Sequence, residues 1–194
     1  MATIHPEAKT STHPAVMVED DVVTSATGRR WLAVTRLATG FIFLWAFLDK
    51  TFGLHYATGA AVAEGDPTLS WIDGGTPSQG FLQFGTTGPF ADTFASMAST
   101  WTDWLFMLGL LGIGVAVMLG VGLRISAVAG SIMMALMWIA EWPLEQGSNN
   151  PLIDYHIIYA LVLIVCAVLL AGDTWGLGRR WARIRAVQRF AWLR

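Results

Sequence analysis

The sequence predicts an all-α integral membrane protein: a four-helix bundle with a long, ordered extracytoplasmic loop that contains an amphipathic interfacial helix. Three observations lead there. Hydrophobic residues make up 54% of the 194 residues and charged residues only 13%, with a mean hydropathy of +0.52, well outside the range of a soluble domain. Four apolar runs each offer about the 17–25 residues that carry a helix across the hydrocarbon core. Positive charge is also sorted: Lys and Arg are absent from residues 51–123 and 125–178, then return as Arg179, Arg180, Arg183, Arg185, Arg189 and Arg194. Short loops rich in Lys and Arg stay cytoplasmic, so both termini are expected on the cytoplasmic side of the membrane.

Residues 1–27 are polar, contain Pro6 and Pro14, and carry Glu19, Asp20 and Asp21. They are expected to form a disordered cytoplasmic tail. Arg29 and Arg30 precede the first span, about residues 31–52. A cleaved signal peptide is the competing reading, with Ala61-Val62-Ala63 as a weak cleavage site. The apolar run is long for a signal peptide, and Asp49-Lys50 interrupt it.

A loop of about fifty residues follows. Its Trp71–Pro77 stretch, Trp-Ile-Asp-Gly-Gly-Thr-Pro, reads as a turn. Phe94, Met97, Ala98 and Trp101 share one face at helical spacing, which predicts the interfacial helix. The second span covers about residues 104–121, the third about 125–142 and the fourth about 151–171. Asn150-Pro151 reads as the start of the fourth, with Asn as cap and Pro at the first helical position. Residues 28–178 thus form the membrane domain, and 179–194 an Arg-rich cytoplasmic tail.

Small residues recur every fourth position at Gly112, Ala116 and Gly120, and again at Ala127, Ser131 and Ala135. Such rows let helices approach closely in lipid. They are expected either to face each other across a hairpin or to face another protomer. The single cysteine, Cys166, lies in an apolar run and reads as a small core residue.

Ionisable groups in or beside spans are functional candidates, because burying them is costly. Arg36 lies close enough to the cytoplasmic end to snorkel. Asp49, Lys50, Glu141, Asp154 and His156 share one depth, at the outer end of three helices. His156, Asp154 and Glu141 are the candidate catalytic, proton-moving group, since His titrates near neutrality. Lys50, Asp49, Trp45 and Tyr159 are the candidate substrate- or quinone-binding residues. Asp154 and His156 point to opposite sides of a regular helix, so both face inward only if the helix starts irregularly. The competing reading makes Asp154 a stabiliser of a helix N-terminus and leaves Asp49 and Glu141 in wet headgroups. No metal site is assigned, because His55, Glu141, Asp154 and His156 follow no ligand spacing. Haem is disfavoured, because His55 lies in a loop.

At these residues the chain resembles the DoxX family of small four-helix membrane proteins. The resemblance is carried by Trp45-Ala46-Phe47-Leu48-Asp49-Lys50-Thr51-Phe52-Gly53, the Trp71–Gly80 turn, the 105–114 run, Asn149-Asn150-Pro151 with Asp154 and His156, and Gly172-Asp173-Thr174-Trp175-Gly176-Leu177-Gly178. It spans residues 31–194. The family includes the large, DoxD-type subunit of thiosulfate:quinone oxidoreductase, and other members partner thiol-handling or superoxide-removing proteins. The resemblance therefore implies a redox setting in a bacterial or archaeal cell membrane, a quinone as the candidate cofactor, and other subunits of a redox complex as partners beside membrane lipid. It supplies no catalytic residues. Two readings stand: an oxidoreductase subunit passing electrons from thiosulfate or another sulfur donor to quinone at the outer face, and a non-catalytic anchor or accessory subunit. A small transporter is a weaker third, since no charge sits near a span centre.

Overall fold

The computed structural model describes residues 17–59, 69–144 and 150–194, and all regular structure among them is helical. In chain order the helices are α1 (Glu19–Val22), α2 (Ala26–Phe52), α3 (Ala91–Ser96), α4 (Thr100–Leu119), α5 (Leu123–Glu141), α6 (Tyr155–Val168), α7 (Gly178–Trp181) and α8 (Arg185–Arg189). Three of them, α2, α4 and α5, are long and apolar enough to cross a membrane. The fourth apolar helix, α6, has 14 residues, about 21 Å at 1.5 Å per residue.

Local chemistry sets these boundaries. Ser25 caps α2, accepting from the Gly28 N–H at 3.2 Å, so the helix begins five residues before the predicted span. It ends at Gly53, whose left-handed φ of 62° lets its N–H reach the Asp49 carbonyl. Ser99 caps α4, which brings that start forward to Thr100.

α2 packs on α4, α4 on α5, α5 on α6, and α6 back on α2. Phe43, Met107, Ile113, Val117, Leu163 and Cys166 meet in the shared core. Of the predicted rows only Gly120 makes a close backbone approach, to Gly172, where a Cβ would come 2.7 Å from the Gly172 Cα; the other close approaches rest on glycines outside the rows. A Cβ on Gly114 would come 2.7 Å from the Leu44 backbone nitrogen, and one on Gly40 would come 2.9 Å from that of Met118. Gly130 makes room for Leu163 of α6. Gly112 has no neighbour within 4 Å, and both it and Ala135 are exposed. Gly112 and Ala135 therefore take no part in a close α4–α5 contact, whereas Ala127 is buried in the core. The larger side chains of Phe106, Met133 and Met137 stand between these helices and line a pocket there.

Three further expectations change. The predicted interfacial helix is broken: α3 ends at Ser96 and the Ser99 cap starts a new helix. Phe94 is buried, whereas Trp101 is 83% exposed, so their predicted common face does not exist. The expected start of the fourth span at Pro151 is a turn instead, with Asn150 Oδ1 accepting from the Leu152 and Ile153 amides. Of the tail expected to be disordered, residues 17–24 are folded and Glu19 is fully buried. Residues 1–16, the Ala61–Ala63 stretch and Asn149 lie outside the described residues.

The predicted turn at Trp71 is present as a single 3-10 turn closed by Gly74 at φ 92°. From there to Met97 the loop covers one end of the helices. Asp103 fastens it by accepting from the Ser78 amide (2.8 Å), the Ser78 hydroxyl (2.7 Å) and the Gln79 side chain (2.6 Å). Thr87 donates to the Ala140 and Glu141 carbonyls at the open end of α5. The opposite end is closed by α1, the 172–178 turn, α7 and α8.

Candidate functional site

The Asp154 backbone is extended (φ −112°, ψ −169°), and α6 begins only after it. One carboxylate oxygen accepts from the His156 and Ile157 amides at 3.0 and 3.3 Å. The other meets His156 Nδ1 at 2.8 Å. This irregular start allows two residues two positions apart to meet. Asp154 thus serves as helix cap and as partner of a histidine with no exposed side-chain surface. Glu141, at the end of α5, completes the group: its ligand atom and those of Asp154 and His156 all lie within 4.8 Å of one another. The Tyr155 hydroxyl donates to Glu141 at 3.1 Å, and the Tyr155 ring lies 4.0 Å from that of His156.

The three predicted catalytic residues are therefore together. Among the described residues His156 Nε2 is buried with no hydrogen-bond partner. A buried polar atom without a partner costs about 1–3 kcal/mol, so Nε2 is the atom of this group that gains most from a polar ligand. Tyr155, which the structure brings against Glu141 and His156, is not legible as a site residue, because an aromatic residue near a span end reads as an interfacial anchor.

The four predicted binding residues separate. Asp49 is buried, and its carboxylate accepts from the Tyr56 and Ala57 amides at 3.3 and 2.9 Å, which fastens the loop after α2. Trp45 packs between Phe41 and Tyr56. Tyr159 packs on the core and on Tyr155. Lys50 alone lines a large pocket, of about 500 Å³, between α4 and α5. None of His156, Asp154, Glu141, Trp45 or Tyr159 lines that pocket. His55 is exposed in its loop and takes no part in the cluster.

Comparison with known protein families, curated proteins and solved structures finds no match for this chain.

A second polar cluster occupies the opposite end, and its central residue is Arg36. Its guanidinium has no exposed surface and donates to five carbonyls: Val117 (2.5 Å), Met118 (2.6 Å), Ala171 (3.0 Å), Trp175 (3.0 Å) and Thr174 (3.4 Å). It does not snorkel. It satisfies the open carbonyl ends of α4 and of the chain after α6, which a guanidinium fork with five N–H donors is built to do. Beside it, the Thr174 hydroxyl donates to Glu19 at 2.5 Å, the Glu19 amide donates to Asp173 at 3.0 Å, and Arg194 pairs with Asp173 at 2.9 Å. Burial pushes the Glu19 carboxyl above its ordinary value, and its Oε1 is buried without a partner among the described residues.

Proposed function

We propose that this chain is a multi-pass membrane subunit of redox chemistry, similar to the DoxX proteins, in which quinone is reduced at the His156 end with a sulfur donor as reductant. The observation that carries this reading is the buried His156–Asp154 pair beside Glu141, gathered where α5 ends and α6 begins. In this reading α6, with the turns before and after it, is the fourth crossing. The Arg-rich end faces the cytoplasm, and the His156 end faces outward.

Quinone takes up two electrons and two protons to become quinol. Two thiosulfate ions supply the electrons and join through a new S–S bond. No bond to the protein is required. What the protein supplies is a proton at a fixed place, which is worth about 10²–10⁴-fold in rate. Asp154 orients the ring through Nδ1, leaving Nε2 to donate to a quinone oxygen. Glu141 and the Tyr155 hydroxyl extend the path toward the exposed surface.

The test is reduction of a short-chain quinone by the purified protein in lipid, with thiosulfate as donor. Wild-type protein is expected to reduce it, and His156→Gln to do so about 10²-fold more slowly. No reduction by wild type, with or without its co-purifying partners, rejects the reading. Full activity of His156→Gln removes only the residue assignment.

One observation favours the alternative, a non-catalytic anchor. The tail folds against the bundle and leaves Arg180, Arg183, Arg185 and Arg189 exposed beside Trp192. That surface suits an acidic partner at an anionic headgroup layer. Arg→Gln changes across the tail should then release the partner during purification.

A further inference from the structure

We propose that the groove between α4 and α5 is a site for one acyl chain of an anionic phospholipid, whose phosphate rests on Lys50. The groove has three properties that together select this occupant.

Its walls are apolar along their whole length. On α4 they run from Thr102 through Gly109 to Ile113, and on α5 from Ala140 through Met133 to Ala129. Each wall is about 16 Å long at 1.5 Å per residue, which is the depth of one leaflet in a hydrocarbon core about 30 Å thick. Gly109 deepens the groove by lacking a side chain. Leu105, Ile132 and Leu136 form its lips and are 47–73% exposed, so a chain enters sideways from the bilayer and needs no portal. The volume of about 500 Å³ lies within the range of sites that enclose a ligand.

Lys50 stands at the loop-covered end, beside Pro77 and Ser78. Among the described residues it is the only charged one that lines the groove, and its ammonium makes no hydrogen bond or ion pair with any of them. The neighbouring Asp49 carboxylate is taken up by the Tyr56 and Ala57 amides. The Lys50 ammonium finds no counter-charge on the groove's apolar walls. It sits at the depth where a lipid headgroup would sit if the groove holds the chain below it. A neutral chain would fill the walls and leave the ammonium without a counter-charge. An anionic headgroup answers both, as a compact phosphate meeting a point charge.

This site is separate from the His156 cluster, so lipid preference and quinone reduction are read in independent assays. Full-length protein is purified in micelles holding equal amounts of phosphatidylglycerol and phosphatidylcholine, and retained lipid is counted by native mass spectrometry. Wild type is expected to keep one phosphatidylglycerol about tenfold in preference. Lys50→Gln should bring the preference near parity, and Lys50→Arg should keep it. Ala129→Phe, which fills the deep end from an exposed position, should lower retention of both lipids. Thermal unfolding in the same micelles checks that each variant is folded. The proposal is overturned if Lys50→Gln leaves the preference unchanged, if Ala129→Phe leaves retention unchanged (which would place the lipid on the Arg-rich tail), or if wild type retains phosphatidylcholine or a neutral quinone as readily.

Discussion

Arg36 shows how far a single side chain can reach in this molecule. Its five acceptors come from the end of α4 and from residues 171–175. Arg36→Met would strand all of them and is expected to cost about 3 kcal/mol or more, because hydrogen bonds to charged groups are worth about 1.5–3 kcal/mol each. Arg36→Lys should recover only part of this, since an ammonium has no planar fork. Thermal unfolding of both variants in lipid nanodiscs checks the order. The sequence marks Arg36 as unusual but cannot show its partners, which are 81–139 positions away. Position near a helix end therefore suggests snorkelling.

Glu19 carries a pH dependence of defined sign. Its carboxyl is pushed up in the fold, chiefly by burial, so the folded state favours the protonated form. Docking of α1 is then strongest below the ordinary carboxylate range and weakens as pH rises through the raised folded value. Proteolysis of the α1–α2 linker is expected to be faster at about pH 8 than at about pH 5, and Glu19→Gln should remove the difference. A pH effect that persists in Glu19→Gln would assign it elsewhere.

Among the helices, two glycines two residues apart should behave in opposite ways. Gly114→Ala drives a Cβ into the Leu44 backbone and is expected to destabilise by about 1–3 kcal/mol, as overpacking does. Gly112→Ala meets nothing and should stabilise by about 0.5–1 kcal/mol through helix propensity. Chemical denaturation in mixed micelles separates the two, and equal effects would contradict the α2–α4 contact line. The sequence makes the opposite choice, because a four-residue period of small side chains does not say which neighbour it faces. Long apolar runs are more legible: α2, α4 and α5 fall within five residues of their predicted limits. The start of α6 is not, because Asn150-Pro151 is a good local signal that loses to Asp154, whose carboxylate caps the helix and holds His156 at once. The predicted gathering of His156, Asp154 and Glu141 rests on shared depth alone. That argument works because all three sit at helix ends joined by one short connection. It fails for Trp45 and Tyr159, since depth does not specify the direction in which a side chain points around a helix.

At the scale of the whole molecule, charge sorting makes the two ends chemically different. One end holds the exposed arginines of the tail, and the other holds the loop, Lys50 and the His156 cluster. If positive charge sets orientation, a cysteine introduced at Ser96 should react with a membrane-impermeant maleimide on intact cells, and one at Arg183 only after lysis. The native Cys166 is 1% exposed and should stay silent in both. The reverse pattern would invert the proposed topology.

The Arg36 junction also has a consequence for biogenesis. The guanidinium belongs to α2, yet residues 171–175, which supply three of its five acceptors, are made only after α4 and α5. Until they arrive, α2 must wait in the bilayer with part of its fork unanswered, even after α4 has offered Val117 and Met118. A chain stopped after α5 should therefore be a persistent substrate for membrane quality control, measurable as a shortened half-life in pulse-chase. Arg36→Met in that same truncated chain should lengthen the half-life. The arginine that locks the finished bundle would then be what marks an unfinished one.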